Sequence, residues 1–442
     1  MNEVKTLSIN KMNKNYSFKL LLVLMGLSIQ NYIFAQSPKH ISIELCYTMA
    51  RQNYPLIKQK DLIAKANSYT IENINKGYLP QLNISGQATY QSEVPHLPDI
   101  KIPNFPLKTL IPVADKDQYK IYGEIYQPIT DMLTVRDQKK YQEDLNAIRD
   151  GNLETELYKL KDRVNQLYFG ALLAEQQDLQ NSLLIKDIQT GMDKVKVAIE
   201  NGSELKSSLN KLLAEKLKAE QHSIELKSAK TAYLSMLGLF INQKLDDNIQ
   251  LDLPKNILPS PDINRPELKV FSLQMETYKI QMELINVKNL PRFGVFFQDG
   301  YGKPNPLNPY TITWANYYVT GIRLNWALSG LYTMKKEKQI LALESKILDA
   351  QQETFLFNTH LSMQQQNEDI NKFESLLKSD DEIISLRESI KNTSANQLSN
   401  GIITANDYLI EINAEDQARQ SKVLHEIQLL FTQYNYQNTT GN

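Results

Sequence analysis

"GYLPQLNISGQATYQSEVPHLP", residues 77–98, separates this chain from an ordinary helical protein. Leu82, Ile84, Gly86, Ala88 and Tyr90 occupy alternate positions, and Gln, Asn, Ser and Thr fill the positions between them. Strict alternation with a period of two predicts a strand with one apolar and one polar face. The residues on both sides are rich in Leu, Lys, Glu, Gln and Ala at helical spacing. We therefore predict an isolated strand inside a mainly helical protein.

The first 35 residues have the order of a secretory signal peptide. Four lysines precede the apolar run "LLLVLMGLSI", residues 20–29, and Ala35 stands directly before an expected cleavage at Gln36. The run of ten residues is too short to cross a bilayer as a helix. The alternative is a buried first helix. We predict that residues 1–35 are removed on export.

Composition and motifs argue against several classes of function. Lys and Arg total 49 and Asp and Glu total 50, so no excess of charge favours nucleic acid as a partner. The five histidines are scattered, and the sequence contains no HExxH, GxSxG, GxGxxG or P-loop motif. We expect no enzyme, no metal and no cofactor. The single cysteine, Cys46, cannot form an internal disulfide, and we predict a small core residue at the start of a helix.

The landmarks of the first half recur in the second half. "NINKGYLPQLNISGQATY", ending at Tyr90, matches "LINVKNLPRFGVFFQDGY", ending at Tyr301, with Leu-Pro between a helical and a strand-like run in both. Asn201-Gly202 recurs as Asn400-Gly401. We predict two duplicated repeats of helix, strand, strand, long helix and helix. They cover residues 36–240 and 265–435, with a linker at 241–264 and a tail at 436–442.

Four strands are predicted, at residues 81–91, 119–129, 292–301 and 316–327. Their lengths match a tilted transmembrane β-strand. Two proline-free helical runs, from about residue 132 to 201 and from 331 to about 396, would each extend on the order of 100 Å. Prolines instead cluster between the first two strands, where they predict an irregular loop.

Aromatic residues support a membrane setting for the strands. The only two tryptophans, Trp314 and Trp326, flank the fourth strand, and we group them with Tyr90 and Tyr126 as a membrane aromatic belt. The alternative is a soluble four-stranded sheet packed on the helices. Four strands cannot close a barrel, and open edges are not tolerated in lipid. A barrel would therefore be shared between copies, with 8 strands in a dimer or 12 in a trimer.

Several stretches carry a family likeness: "SIELCYTMARQNYPLIKQK", the strand ending at Tyr90, "GIRLNWALSG" and "NGIITANDYLIEINAEDQAR". Together they resemble the TolC-like outer-membrane efflux proteins, over about residues 42–434. The resemblance implies a homotrimer with a 12-stranded β-barrel in outer-membrane lipid, continuous with a long α-helical barrel in the periplasm. It also implies a periplasmic adaptor (a membrane fusion protein) and an inner-membrane transporter as partners, in tripartite efflux or type I secretion.

The resemblance also implies functional positions. An acidic ring at the family's periplasmic entrance is formed six residues past the turn glycine, which is Asp407 here. The family's basic residue two past that glycine is Ile403, its aromatic residue three before it is Leu398, and Ser208 occupies the acidic place in the first half. Most of the family's latch is therefore missing.

Other positions complete the candidate sites. Asp380 and Asp381 are further candidates for the pore entrance, because a symmetric oligomer repeats each carboxylate around one axis. The turns Asn201-Gly202 and Asn400-Gly401 are the predicted helical tips where an adaptor docks.

We expect an outer-membrane exit channel for small molecules or proteins. One alternative is a periplasmic coiled-coil adaptor, which would carry compact β segments rich in Gly and Val. The other alternative is a coiled-coil scaffold without channel activity, which leaves the alternating strands and the tryptophan spacing unexplained.

Overall fold

The computed structural model describes residues 40–94, 113, 115–247, 249–308 and 310–442. The predicted signal peptide and the prolines of the first predicted loop lie outside these ranges. Within them the chain is mainly helical, with α1 (Ile43–Asn53), α2 (Lys58–Asn75), α3 (Asp131–Tyr158), α4 (Leu160–Glu200), α5 (Lys206–Ile241), α6 (Pro266–Lys288), α7 (Gly330–Ser399) and α8 (Ala405–Thr440). The strands are β1 (His40–Ile41), β2 (Gln81–Tyr90), β3 (Asp117–Pro128), β4 (Gln250–Leu251), β5 (Arg292–Lys303) and β6 (Ala315–Asn325).

The four predicted strands are confirmed, with ends shifted by one or two residues. They form one antiparallel sheet in the order β2-β3-β5-β6. One row across it joins Ile84 to Gly123, Gly123 to Asp299 and Asp299 to Tyr318. β3 and β5 come from different halves of the chain, so their pairing joins the two halves. β2 and β6 are the edge strands.

The two faces of the sheet differ in exposure along β3, β5 and β6, whereas most residues of the edge strand β2 are exposed on both faces. The exposed face is mostly apolar, and its main members are Leu82, Ile84, Ile121, Ile125, Phe293, Val295, Phe297, Tyr301, Ile322 and Leu324. Ile84 is 85% exposed and Leu82 75% exposed, so nothing in the described chain covers this face. Its exposed polar residues are Asp117, Asp299, Asn316 and Thr320. The shielded face carries Tyr122, Glu124, Tyr126, Phe296, Gln298, Tyr317 and Arg323.

One aromatic position was predicted wrongly. Tyr126 was grouped with the membrane belt, but it alternates with Ile125 and therefore lies on the shielded face, opposite Phe296. The Tyr126 ring occupies the space next to the Cα atom of Gly294, where the Cβ atom of any other residue would clash with it. The period-two rule that identified the strand also excludes Tyr126 from the exposed face.

The helices are nearly as long as predicted, with one interruption. α7 runs unbroken for 70 residues, which corresponds to about 105 Å. The first long helix, predicted as continuous, is divided at Lys159 into α3 and α4. Leu157 and Leu160, on either side of the break, pack against Tyr54 and Ile57. The interruption therefore lies where the long helix meets the segment between α1 and α2.

The largest core cluster lies where α1, α4, α5 and α8 meet. Tyr168, Leu172 and Leu237 are fully or almost fully buried there. Cys46 is part of the same cluster, which confirms its predicted core position, and burial raises the pKa of its thiol to about 12. β1 pairs with β4 in parallel beside this core, so the linker between the halves returns to the start of the described chain.

The predicted C-terminal tail, residues 436–442, continues α8 as far as Thr440 instead. Tyr436, Asn438 and Thr440 are buried, and the Asn264 N–H donates to the Thr440 carbonyl at 2.6 Å. These contacts hold the last turns of the helix against the linker. None of the helices in the described ranges has a stretch apolar and long enough to span a bilayer.

A buried tyrosine hydroxyl provides a stability test of this core. Tyr168 is fully buried, and its hydroxyl lies 2.8 Å from the Ile41 carbonyl and 2.7 Å from the Asp252 carbonyl, next to β1 and β4. Tyr168→Phe should lower stability by about 1–3 kcal/mol, because it removes the donor to the Asp252 carbonyl and leaves the Ile41 carbonyl with the Asp252 N–H alone. The thermal unfolding midpoint measures this. Tyr69→Phe, at a side chain 65% exposed, is the matched control, and equal midpoints for both variants would contradict the assignment.

Candidate functional site

Both Asn-Gly turns have the geometry that the sequence predicts. Gly202 has φ of +75° and Gly401 has φ of +69°, in the left-handed region that favours glycine. The Gly202 N–H donates to Ile199 and the Ser203 N–H to Ala198. Gly401 and Ile402 make the equivalent bonds at the end of α7. This paired pattern is a Schellman motif, which satisfies the last carbonyls of α4 and α7.

The helices that follow the two turns begin differently. α8 begins with a capping box: the Thr404 hydroxyl accepts from the Asp407 N–H at 3.3 Å, and the Asp407 carboxylate accepts from the Thr404 N–H at 3.0 Å. Hydrogen bonds from the Thr404 hydroxyl and N–H hold the pKa of Asp407 below its usual value. α5 begins after Leu205, which offers no side-chain cap. Asp407 is therefore ionised at neutral pH and fixed at the tip.

The two tips of one chain are tied to each other. Glu204, from the first tip, accepts the Ala405 N–H at 3.2 Å, and Lys211 donates to Asn406 at 3.4 Å. Glu204 therefore satisfies a free N–H in the first turn of α8, where a negative charge is favourable. Its counterpart in the second half is Ile403. The sequence analysis missed Glu204, because its partner lies 201 residues away.

A buried charge network joins three helices above the tips. The Lys391 ammonium of α7 lies 2.8 Å from Asp187 of α4 and 2.5 Å from Glu415 of α8. Arg419 pairs with Glu415 at 2.7 Å and with Glu388 at 3.1 Å. The Glu415 side chain is only 3% exposed. Pairing on both sides compensates for the cost of burying its charge.

Burial and ion pairing have opposite effects on the pKa of Glu415 and on the pKa of Lys391. Burial alone would raise the pKa of Glu415, but hydrogen bonds from Lys391 and Arg419 outweigh burial and lower it. Burial alone would lower the pKa of Lys391, but hydrogen bonds to Asp187 and Glu415 raise it. Both groups are charged at neutral pH.

Asp416 lies next to Glu415 in sequence but has no cation paired with it among the described residues. One of its carboxylate oxygens is buried without a hydrogen-bond partner in this part of the chain. Burial raises the pKa of Asp416 to about 6, and the weaker effects of Gln180, His222 and Gln420 act in the other direction. Its ionised form is therefore destabilising at neutral pH.

Asp380 and Asp381 lie away from the tips, within α7. Asp380 contacts the His425 ring nitrogen at 2.7 Å, and its side chain is 9% exposed. Asp381 pairs with Lys422 at 2.7 Å and is 68% exposed. These pairs hold α7 against α8, and Asp380 and Asp381 precede Asp407 by 27 and 26 residues of chain. A part for Asp380 and Asp381 at a pore entrance stays a prediction.

The shielded face of the sheet contains a second polar cluster. Arg323 donates to both carboxylate oxygens of Glu124, at 3.0 and 2.7 Å, and Gln298 also donates to this carboxylate. The guanidinium lies 4.5 Å from the centre of the Phe296 ring and 5.5 Å from that of Tyr126. The pairs connect three strands, so this face is held rigid by charge and aromatic contacts.

Aromatic residues lie at both ends of the sheet. At the loop end, Trp314 stacks on Tyr301 at 5.7 Å between ring centres and contacts Tyr119, while Tyr90 is 73% exposed. At the helix end, Trp326 follows β6, and its indole N–H donates to the Asn289 carbonyl at 3.1 Å. Trp314 and Trp326 lie at the two ends of β6, and their part in a membrane belt stays a prediction.

No group of three or more His, Cys, Asp or Glu side chains in the described ranges is arranged to hold a metal ion. The candidate site residues lie in the tips, in the charge network above them and on the shielded face of the sheet.

Comparison with known proteins identifies the fold. No family model and no curated protein matches the sequence. The solved outer-membrane channel OprN has a TM-score of 0.67 at 11% identity, covering 92% of this chain and 90% of that chain. VceC, an outer membrane protein of Vibrio cholerae, has a TM-score of 0.65 at 11% identity, covering 90% and 96%. The CmeC outer membrane channel of Campylobacter jejuni has a TM-score of 0.63 at 12% identity, covering 90% of this chain and 85% of that chain.

These solved structures share the architecture of the chain over about nine-tenths of its length. The TolC-like fold expected from the sequence is therefore confirmed. Identities of 10–12% show the fold, and residue roles have to be argued from this chain itself.

Asp416 and Glu415 are neighbouring carboxylates, and neutralising each of them should change the stability of the protein in opposite directions. Asp416→Asn should stabilise the folded state at pH 7.5 by up to about 3 kcal/mol, because it removes a buried charge. The thermal unfolding midpoint should rise accordingly. The folded-state pKa of about 6 lies above the unfolded value of about 3.9, so this gain should decline as pH falls through 6 and vanish near pH 4.

Glu415→Gln is the matched variant. The folded-state pKa of Glu415 is lowered, so its stabilisation is present above the unfolded value of about 4.3 and is lost as pH falls below it. This variant should lower the midpoint at pH 7.5, and the deficit should shrink in acid. Shifts of the same sign for both variants at pH 7.5 would show that the assigned environments are wrong.

Proposed function

We propose that this chain, which has the fold of outer-membrane channels, is an outer-membrane exit channel for small molecules or proteins that extends into the periplasm and has no enzymatic activity. It would work as a homotrimer with a 12-stranded β-barrel, a periplasmic adaptor and an inner-membrane pump. One observation carries this proposal: an antiparallel four-stranded sheet whose exposed face is apolar and whose two edges are open.

The dimensions of the sheet support a position in lipid. The four strands have 10, 12, 12 and 11 residues, close to the length of a tilted transmembrane strand. Their exposed face carries Leu, Ile, Val and Phe side chains, and aromatic residues lie at both ends of the sheet. This alternation with aromatic ends is the pattern of outer-membrane barrels. In water such a face would be an aggregation hazard.

The direction of the edge strands supports closure between copies. β2 runs from the helices toward the loops, and β6 runs from the loops toward the helices. Pairing β6 of one copy with β2 of the next therefore continues the antiparallel order. Three copies joined in this way would complete the backbone hydrogen bonds that lipid requires, with 12 strands around a passage.

The long helix α7 provides a second surface for other copies. Apolar side chains that are 37–67% exposed in one chain form three groups along it, with spacings of three, four or seven residues inside each group: Ile340, Leu343 and Ile347, then Phe357 and Leu361, then Leu376, Ile383, Leu386 and Ile390. Such spacing is that of helices that pack side by side along their length. A second copy of this chain would cover this stripe and extend the helical barrel.

The tips lie at the other end of α4 and α7 from the sheet, on the order of 100 Å away. If the sheet lies in the outer membrane, the tips reach the periplasmic entrance, where an adaptor would dock on Asn201, Gly202, Asn400 and Gly401. Three copies of Asp407 would then surround one axis. A ring of fixed carboxylates attracts cations.

A charge introduced on each face of β2 tests the membrane setting. Ile84→Arg should block assembly in the outer membrane, because an arginine on the lipid face costs about 2–4 kcal/mol near the midplane. Ser85→Arg, one residue away on the shielded face, is the matched control and should be tolerated. The measurement is the amount of trimer, by mass in mild detergent, from the outer-membrane fraction. Equal defects from both variants, or only monomers from the wild type, would contradict the proposal.

Neutralising the tip carboxylate tests the entrance. Asp407→Asn should change cation selectivity and weaken block by multivalent cations in single-channel recordings, because it removes the charge of the ring. Asp369→Asn is the control, at a carboxylate of α7 paired with Lys372. The amount of trimer should not change in either variant. Unchanged selectivity and block in Asp407→Asn would assign Asp407 to helix capping alone.

A further inference from the structure

A pocket of about 440 Å³ lies between α1, the junction of α3 and α4, and the start of α6. We call it the junction pocket, and its lining includes Tyr47, Arg51, Glu154, Leu157, Tyr158 and Lys161. Its volume is within the range of small-molecule sites. The pocket is far from both the tips and the sheet, and the proposed channel function does not use it.

The lysine in this pocket lies over two aromatic rings and not against a carboxylate. Lys161 makes no ion pair with any described residue, and its ammonium lies over the rings of Tyr158, at 4.6 Å, and Tyr47, at 5.8 Å. Burial lowers the pKa of Lys161, the nearby charges of Arg265 and Arg51 lower it further, and the Asp162 carboxylate acts in the other direction. An anion bound beside the ammonium would favour its charged form.

The neighbouring carboxylates already have other partners. Glu154 is held by Arg51 at 2.5 Å and by Lys60 at 3.5 Å. Glu267 is paired with Arg265, and Asp162 accepts a hydrogen bond from Asn438. Among the ionisable groups that line the pocket, Arg51 and Glu154 cancel, which leaves the one positive charge of Lys161.

The aromatic walls are held in place independently of Lys161. The Tyr47 hydroxyl donates to the Asn165 side chain, and the Tyr158 hydroxyl donates to the Asn438 carbonyl at 2.9 Å. With Leu157 and Val164 the two rings form an apolar lining next to the ammonium. A ligand can therefore use the ammonium and the rings at the same time without a rearrangement of the walls.

We infer that the junction pocket binds a small organic anion, whose carboxylate or phosphate group pairs with Lys161 and whose apolar part lies against Tyr47 and Tyr158. One negative charge on the ligand balances the unpaired lysine, and the pocket volume accommodates a body the size of an aromatic ring. A bound anion would link α1, α4 and the start of the second half, so it should also stabilise this junction.

Calorimetric titration of the full chain in detergent tests this inference with three probes. Benzoate and phenyl phosphate present the two anionic groups on the same ring, and benzamide is the neutral analogue of benzoate. We expect saturable binding of at least one of the two anions, with the tighter one identifying the preferred group. We expect benzamide to bind at least about tenfold more weakly than that anion, since the interaction of a buried charge with an opposite charge exceeds 1.4 kcal/mol.

Variants assign the binding to this pocket. Lys161→Gln should weaken binding at least about tenfold, and Lys161→Arg should retain it. Lys186→Gln, at an exposed lysine of the same helix, is the matched control and should bind as the wild type does. Unfolding midpoints report whether each variant is folded. Equal binding of benzamide, unchanged binding in Lys161→Gln, or no saturable binding of either anion to the wild type would overturn the inference. None of these readouts requires transport, so they separate this inference from the channel function.

Discussion

The unpaired backbone edges of the four-stranded sheet are the constraint on which the rest of this structure depends. β3 and β5 are hydrogen-bonded on both sides, whereas β2 and β6 each have one edge without a strand partner in the described chain. The exposed face beside those edges is apolar. Free N–H and C=O groups are satisfied in water but are costly beside hydrocarbon. In the proposed channel, strand pairing between copies would remove the free edges and leave the apolar face toward lipid.

The sheet also determines where the helices begin. β3 ends at Pro128 and α3 begins at Asp131, while β6 ends at Asn325 and α7 begins at Gly330. The Thr130 hydroxyl accepts the Phe293 N–H at 2.9 Å, which holds the start of α3 against β5. The long helices therefore leave the sheet from fixed points. In the proposed barrel, the order of the strands would therefore set the order of the helices that follow them.

The two halves share an element order and differ in chemistry at their tips. Both turns end in a left-handed glycine, because the Schellman motif requires that conformation in each half. Beyond the glycine, Glu204 and Leu205 stand where Ile403 and Thr404 stand in the other half. The capping box is therefore made only by the second half, and the carboxylate that joins the two tips comes only from the first. The two halves therefore share the backbone geometry of the turn and differ in the side chains that follow it.

The sequence alone determined the features that depend on neighbouring residues. The alternation of residues 81–90 identified a strand, the absence of proline identified the long helices, and Asn-Gly identified the turns, because periodicity and backbone preference act over a few residues. Only the tertiary structure decided the pairs on which the sites depend. Arg323 meets Glu124 across 199 residues, and Lys391 meets Asp187 across 204. The Lys161 ammonium forms no ion pair with a described residue, while Glu154 and Glu267 pair with Arg51 and Arg265. Such pairings follow from which helices and strands lie side by side, and no local pattern encodes that choice.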